Sequence, residues 1–97
     1  MSTKSPFLEL IRRIMRLRGY SIRTEQSYLY WIKYYIRFNK NEHPKVMRKV
    51  EAIAFLDYLA SDRNVTSNTQ RVALNAIVFL YSKILETPLG DLGFRLK

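Results

Sequence analysis

Residues 21–40 read SIRTEQSYLYWIKYYIRFNK, and this stretch decides the fold because its apolar side chains recur at helical spacing. An α-helix advances about 100° per residue, so apolar residues three and four positions apart lie on one side. That side consists of Tyr28, Leu29, Trp31, Ile32, Tyr35, Ile36 and Phe38. The pattern therefore predicts an amphipathic helix with one broad face in a hydrophobic core.

The opposite side of this helix combines cations with tyrosines. Lysine and arginine neutralise phosphates, and hydroxyl groups donate hydrogen bonds to phosphate oxygens. For this helix alone, two interpretations stay open: a solvated face whose Lys and Arg stems cover the tyrosine rings, or a surface for a polyphosphate. The stripe consists of Arg23, Gln26, Tyr30, Lys33 and Arg37, with Ser27 and Tyr34 at its margin.

The charge of the chain favours the second interpretation. The 97 residues fit one domain and contain 17 Lys and Arg against 8 Asp and Glu, for a formal net charge of +9. Residues 1–49 hold twelve basic and three acidic side chains, whereas residues 50–97 hold five of each. A positive field confined to one half of the chain predicts attraction to nucleic acid or to an anionic membrane.

Composition also excludes several classes of site. The chain has no cysteine, and its single histidine, His43, cannot build a metal site by itself, so no metal or other cofactor is expected. No apolar run approaches the ~18 residues of a membrane span. Because Arg12, Arg13 and Arg16 interrupt the first apolar segment, a signal peptide is not expected either. We expect a soluble cytoplasmic protein without a membrane partner.

A first helix is predicted after a flexible start at residues 1–5. Ser5 is a suitable N-cap, Pro6 suits the first helical position, and Gly19 is a suitable terminator. The arginines of this helix point away from its apolar side, into solvent or towards a phosphate backbone, and we favour solvent. The apolar side consists of Phe7, Leu10, Ile11, Ile14 and Leu17.

Capping and helix-breaking residues indicate where the second and third helices lie. Ser21 is the predicted N-cap of helix two, and Glu25 in its first turns is favoured by the helix dipole. This helix should end at residues 39–41, because Pro44 disfavours helical geometry at His43, which is predicted to be a loop residue. Helix three exposes acidic residues that phosphate would repel, so we expect it at the back of the domain. Its apolar positions are Val50, Ile53, Ala54, Phe55, Leu56, Leu59 and Ala60, and its acids are Glu51, Asp57 and Asp62.

The fourth helix is predicted to start at a capping box formed by Ser67 and Gln70. Its core face consists of Ala73, Leu74, Ile77, Leu80, Tyr81 and Ile84. Its outer side carries Asn68, Arg71, Asn75, Val78 and Ser82. Short polar side chains at a helix N-terminus either cap the helix or add to a site where free N–H groups favour a phosphate. The predicted binding residues here are Asn68, Arg71 and Asn75.

Four helices with short connections predict an all-α domain at residues 6–86, followed by a linker at residues 87–97. The polar stripes of helices two and four are expected to lie side by side and cup a duplex. The sequence has no glycine-rich phosphate loop, no paired carboxylates at a plausible spacing and no nucleophile with a histidine base. These features favour a binding module over an enzyme, with no catalytic residues.

Several motifs together resemble the N-terminal core-binding (SAM-like) domain of tyrosine recombinases, and most closely that of integron integrases. The resemblance covers about residues 6–88. It is based on the Tyr-Ser-x-x-Thr-Glu-x-x-Tyr run at residues 20–28, Trp31-Ile32, His43-Pro44, and TQRVALNAIVFLY at residues 69–81. Many members of that family have Asn where this chain has Arg71, a departure that adds a cation.

The resemblance implies a specific role for two helix starts. In that family this domain forms half of a C-shaped clamp, with helices two and four in the major groove of the recombination site. Arg23, Thr24 and Ser27, together with Asn68, Thr69 and Arg71, are then expected to meet phosphates and base edges. The tyrosine nucleophile belongs to a C-terminal domain, so the resemblance implies that this chain is a fragment that ends in the interdomain linker and is inert alone.

The predicted partners follow from the same resemblance. They are DNA, either as a duplex or as a folded single strand, and other recombinase protomers assembled on it, with the chain itself monomeric without DNA. A second hypothesis is a protein-interaction module of the recombinase assembly that uses helix one and the acidic helix three. A standalone regulator or membrane-surface protein is disfavoured, because no large apolar outer face is present.

Overall fold

A computed structural model describes residues 5–87, and every regular element among them is helical, which confirms the predicted all-α class. Helix α1 spans Pro6–Leu17, α2 spans Ile22–Phe38, α3 spans Lys49–Ser61 and α4 spans Ser67–Phe79. A short 3₁₀ turn at Pro44–Val46 precedes α3, and a π-helical turn at Leu80–Ile84 continues α4. The predicted flexible start and linker lie outside the described residues, except at residues 5 and 87.

Helix α1 begins and ends at the predicted residues. The Ser5 hydroxyl accepts a hydrogen bond from the Leu8 amide at 3.4 Å, with Pro6 in the first turn. Gly19 has φ +80°, a left-handed conformation that glycine adopts without strain. Its N–H donates to the Arg16 carbonyl, while the Tyr20 N–H donates to that of Met15, as in a Schellman motif. The chain therefore reverses tightly into α2, which Ser21 caps as predicted by accepting from the Thr24 amide.

The core lies where one face of each helix meets the others. The predicted core face of α2 is confirmed: Leu29, Trp31, Ile32 and Tyr35 are buried, and its other members are partly buried. Burial of such side chains supplies about 1.5–3 kcal/mol each. The remaining buried apolar residues are Ile11, Met15, Met47, Ala52, Phe55, Leu56, Leu59, Ala73, Ala76, Ile77, Phe79, Leu80 and Tyr81.

Two buried tyrosines connect α2, α4 and the loop before α3. The hydroxyl oxygens of Tyr35 and Tyr81 lie 3.0 Å apart, and Tyr81 donates to the Pro44 carbonyl at 2.8 Å. Since the Tyr81 proton is used on Pro44, Tyr35 is the donor to Tyr81. Each hydroxyl thus has a partner, as buried polar groups require.

The core face was predicted less well for α1 and α3. Leu10 and Leu17 are 43% and 80% exposed, whereas Met15 is fully buried. Of the predicted stripe, Ile11 is buried, and Phe7 and Ile14 are partly buried against the core. The core side of α1 thus overlaps the predicted stripe but is displaced towards Met15. In α3, Val50 is 73% exposed because it lies in the first turn, and Ala52 is buried in its place. Ala54, also predicted for the core face, is exposed.

The predicted capping box at the start of α4 is wrong. Thr66 is the N-cap, and its hydroxyl oxygen accepts from the Thr69 amide at 3.2 Å, so Ser67 is the first helical residue. Gln70 does not reach back to a cap. Its side chain is buried and donates to the Val65 carbonyl at 3.3 Å. The helix begins one residue earlier than predicted, because Thr66 has the extended backbone that an N-cap requires.

None of the helices described here is both long and apolar enough to cross a membrane.

Candidate nucleic-acid interface

The outer face of α2 consists of the side chains that its helical period predicts. Arg23, Gln26, Tyr30, Lys33 and Arg37 are all exposed, and the marginal residues Ser27 and Tyr34 are half-buried. Thr24 is also half-buried, and its hydroxyl accepts a hydrogen bond from that of Ser21 at 3.1 Å. The predicted α2 residues therefore form one continuous accessible stripe.

Part of this stripe lines a concavity. Four residues of α2 and one residue beyond the end of α3 enclose a volume of about 480 Å³. No residue of α4 belongs to this lining within residues 5–87. We call this concavity the α2–α3 seat, and its residues are Tyr30, Lys33, Tyr34, Arg37 and Arg63.

Aromatic rings pack against one another next to the seat. The rings of Trp31 and Tyr34 are nearly parallel, at an interplanar angle of 8° and a centroid distance of 5.8 Å. The rings of Tyr30 and Trp31 meet edge to face at a centroid distance of 4.9 Å, and those of Tyr34 and Phe55 do so at 5.5 Å. Tyr34 is thus held on two sides, whereas Tyr30 remains 57% exposed.

A chain of hydrogen bonds fixes the third cation of the seat. The Arg63 Nη1 group donates to the Tyr34 hydroxyl oxygen at 3.0 Å, and that oxygen lies 3.3 Å from the Tyr58 hydroxyl. The hydrogen bond between the two hydroxyls raises the pKa of Tyr34, and the same hydrogen bond, with the nearby Arg63 guanidinium, lowers the pKa of Tyr58. The guanidinium and the two hydroxyls therefore form one hydrogen-bonded group.

Arg63 was not predicted as a site residue, because it was assigned to the connection that follows helix three. Acidic residues of α3 suggested that the whole helix faces away from a polyanion. Arg63 lies just beyond the C-terminal end of that helix, beside Lys33 and Arg37. No local sequence signal marks this, because the approach of the two helices depends on tertiary packing.

The polar residues of α4 form a separate group. Asn68, Arg71 and Asn75 are exposed, and their spacing of three and four places them on one side of the helix. Thr69 is half-buried, and its hydroxyl accepts from the Thr66 hydroxyl at 3.0 Å. Helices α2 and α4 pack together through rings such as Tyr28 and Phe79, whose centroids lie 5.6 Å apart. The α4 group is thus on a neighbouring helix but not in the seat.

Two of the three arginines predicted to point from α1 into solvent instead converge on a buried acid. Arg16 donates to both carboxylate oxygens of Glu25, at 2.7 and 3.1 Å, and Arg12 donates to one at 3.2 Å. Arg12 also pairs with Glu9 at 2.8 Å. Glu25 is only 3% exposed, and the hydrogen bond from Arg16 is the main cause that lowers its pKa. Arg13 is exposed as predicted, and Arg16 also remains exposed despite its contact with Glu25, whereas Arg12 is half-buried.

These ion pairs separate the basic residues into two kinds. The charges of Arg12 and Arg16 are largely compensated by Glu25 and Glu9. In the part of the chain that the structure describes, no carboxylate forms an ion pair with Lys33, Arg37 or Arg63. The seat therefore brings together three cations that have no ion pair with a described carboxylate, which suits an anionic ligand.

His43 is a loop residue, as predicted. It caps the short 3₁₀ turn, where its Nδ1 atom accepts from the Lys45 amide at 3.1 Å, and its ring lies 4.5 Å from that of Phe7. Between residues 5 and 87, no group of three or more acidic or histidine side chains is placed to hold a metal ion. The side chain of His43 thus contributes to local structure.

Four short helices around one core define a small all-α domain of the SAM-like class. Residues 7–91 match the family described as the phage integrase N-terminal SAM-like domain, and the chain belongs to this family. This confirms the predicted relationship to integrases and recombinases.

Two curated relatives agree with this assignment. Both are described as integrase/recombinase, one from Escherichia coli and one from Pseudomonas aeruginosa. Each is 43% identical to this chain over 82 residues, which is 84% of this chain and 24% of the relative. The chain thus spans about a quarter of the length of the curated relatives it matches.

Proposed function

We propose that this domain binds DNA for a site-specific tyrosine recombinase, with α2 and α4 as the binding helices. The observation that supports this proposal best is the cluster of Lys33, Arg37 and Arg63 around one concavity, without an ion pair to any described carboxylate. Membership of the integrase family supports the same conclusion independently. The solvated-face alternative is disfavoured, because three cations without an ion pair to a described carboxylate converge on one concavity.

In the proposed mechanism, phosphate contacts position the domain and polar side chains approach the bases. Lys33 and Arg37 neutralise phosphates along α2, while the exposed Tyr30 packs against a sugar. Asn68, Arg71 and Asn75 contact the same site from α4. Four to six phosphate contacts give a slope of log K against log salt concentration of about −4 to −5.

The finer parts of the proposal follow from the resemblance to integron integrases. The domain forms half of a clamp around the recombination site, as a duplex or a folded single strand. A separate catalytic domain supplies the chemistry, so this chain alone is inert and uses no cofactor. Without DNA we expect it to be monomeric, and on DNA to meet other protomers.

The test compares matched variants of exposed cations. Fluorescence anisotropy with a 20-base-pair duplex, at several salt concentrations, gives Kd and the salt slope for the wild type, Lys33→Ala, Arg37→Ala and Arg13→Ala. Each α2 variant is expected to weaken binding and to reduce the salt slope by about one unit, independently of the base sequence of the duplex. Arg13→Ala is the control on α1 and should change little. Equal effects of all three variants would mean that the α2 stripe has no special role.

A second function, as an assembly module of recombinase protomers, is favoured by one observation. Leu10 and Leu17 lie seven residues apart on α1 and are 43% and 80% exposed, so the helix presents apolar side chains to solvent. Sedimentation velocity over a range of concentrations tests this. Self-association that is insensitive to salt and is lost in Leu17→Ser, without any DNA binding, would favour assembly over DNA binding.

A further inference from the structure

We infer that the α2–α3 seat holds one phosphodiester group of a nucleic acid strand, and that Arg63 of the α3 end is one of its ligands. This inference rests on the proposed function and deepens it, because it assigns a ligand group to one concavity and adds a residue from a helix that was expected to face away. It also gives Tyr34 a positioning role rather than a direct contact.

Backbone hydrogen bonds fix the position of Arg63 at the end of α3. Its amide donates to the Tyr58 carbonyl at 3.1 Å, and the preceding Asp62 amide donates to the same carbonyl at 2.8 Å. Both bonds belong to the last turn of α3. The Cα atom of Arg63 is therefore anchored at the helix end, beside the seat.

The guanidinium is oriented by a rigid acceptor. The Tyr34 hydroxyl oxygen takes one Arg63 N–H at 3.0 Å, and the Tyr34 ring is itself held between Trp31 and Phe55. Arginine has five N–H groups in a fixed planar arrangement, so four remain for another acceptor. An arginine oriented before binding loses less side-chain entropy when the ligand arrives.

The composition of the lining favours a phosphodiester. It combines three cations and two tyrosines, with no carboxylate among the residues that line it. A phosphate offers oxygens that guanidinium groups bind in a bidentate manner, while the adjoining sugar can pack on the exposed ring of Tyr30. Arg63, Lys33 and Arg37 thus surround an anion from α2 and α3 together.

The experiment measures Kd against salt concentration for a 20-base-pair duplex and for a 20-nucleotide single strand. The neutral variant Arg63→Gln should lower the slope by about 0.9 for the duplex if the phosphodiester belongs to double-stranded DNA. If the slope instead falls by about 0.7 for the single strand and does not change for the duplex, the seat binds an unpaired strand. Arg63→Lys keeps the charge, so it should keep the slope while losing affinity by a few-fold.

The positioning role of Tyr34 has its own readout. Tyr34→Phe retains the stacked ring and removes the hydroxyl acceptor, so it should weaken binding a few-fold with no change in slope. Combined with Arg63→Gln it should add no further loss, because both changes act through the same contact. Circular dichroism melting of each variant checks that the fold is retained.

The outcomes separate this inference from the proposed function. If Lys33→Ala reduces the slope and Arg63→Gln leaves both slope and Kd unchanged, DNA binding stands and the role of Arg63 is wrong. Weaker binding in Arg63→Gln without a change in slope also overturns the phosphate contact. If the wild type binds neither the duplex nor the single strand at low salt, the proposed function and this inference are both wrong. If it binds and neither variant affects binding, the inference and the role given to Lys33 are wrong.

Discussion

Arg16 holds Glu25 with two hydrogen bonds, from Nε at 2.7 Å and from Nη2 at 3.1 Å, and so joins α1 to the first turn of α2. A buried carboxylate without partners is strongly unfavourable, and a bidentate arginine is the geometry that best compensates it. Arg12 supplies a further hydrogen bond at 3.2 Å. The contact therefore sets how α1 lies against the basic helix.

The Glu25 contact predicts a specific pH dependence. Because the folded state lowers the pKa of Glu25 below the ordinary value of 4.5, its stabilising effect is complete above about pH 4.5. That effect is lost as the pH falls through the lower, folded-state pKa. Glu25→Gln should reduce the free energy of unfolding by about 1–3 kcal/mol at pH 7, since a buried charged hydrogen bond is removed.

Urea denaturation at pH 7 and pH 3 measures the difference between wild type and Glu25→Gln. The difference should shrink at pH 3, because the stabilisation by the ionised Glu25 decreases as the pH falls below 4.5. Glu9→Gln is the matched control, because the Glu9 side chain is 46% exposed and such pairs contribute only about 0.2–1 kcal/mol. An unchanged difference at both pH values would contradict the role given to Glu25.

The buried tyrosine pair predicts that Tyr35→Phe and Tyr81→Phe lower the free energy of unfolding by different amounts. Burial raises the pKa of Tyr35, so its hydroxyl is a neutral donor to Tyr81. Tyr35→Phe removes that one bond and should cost about 1 kcal/mol of unfolding free energy. Tyr81→Phe also leaves the Pro44 carbonyl without its donor, and should cost about 1–3 kcal/mol more. Chemical denaturation of both variants tests this order, and equal costs would mean that the bond to Pro44 contributes nothing.

The start of α4 predicts which of two neighbouring hydroxyls stabilises the helix. Thr66→Ala removes the N-cap acceptor of the Thr69 amide and should lower the free energy of unfolding by about 1 kcal/mol. Ser67→Ala changes an exposed first helical residue and should be nearly neutral. Thermal unfolding distinguishes the two variants. The opposite order would restore Ser67 as the cap that the sequence first indicated.

The α4 group predicts a second contact area for DNA. In a chemical-shift titration with a short duplex, the amides of residues 23–37 and 68–75 should move together, and the shifts should collapse as salt rises. Arg71→Ala should weaken binding without disturbing the shifts of the α2–α3 seat. Shifts confined to α1 and α3 would favour the assembly function instead.

The outer and core faces of α2 could be predicted because they depend only on the helical repeat of 3.6 residues per turn. The five central residues of its outer stripe are exposed, the two marginal ones are half-buried, and the assigned core residues are buried or partly buried. The caps at Ser5, Ser21 and Gly19 were also predictable, since each depends on the local chemistry of one turn.

Glu25 was missed although a signal was present. It precedes Leu29 by four residues and Ile32 by seven, which places it on the core side of α2. An acid at such a position requires a cationic partner, and the arginines of the previous helix are the nearest candidates. Assigning Glu25 to the helix dipole considered only its own helix.

Arg63 and the α1 face could not be predicted from local pattern. The side of α1 that is buried depends on the angle at which it meets α2, and apolar side chains at Leu10 and Leu17 fit another rotation equally well. Arg63 lies next to Asp62 in the sequence, and only tertiary packing brings it to Tyr34. Whether either group of polar residues binds DNA stays a prediction.

The stacking of Trp31 on Tyr34 gives the protein an intrinsic optical reporter. Trp31 is the single tryptophan of the chain, and its indole lies parallel to a ring that lines the seat. Fluorescence emission from this one site is therefore sensitive to any ligand that shifts Tyr34 or Arg63. Occupation of the seat becomes measurable in the unlabelled protein, by the intensity and wavelength of a single emission band.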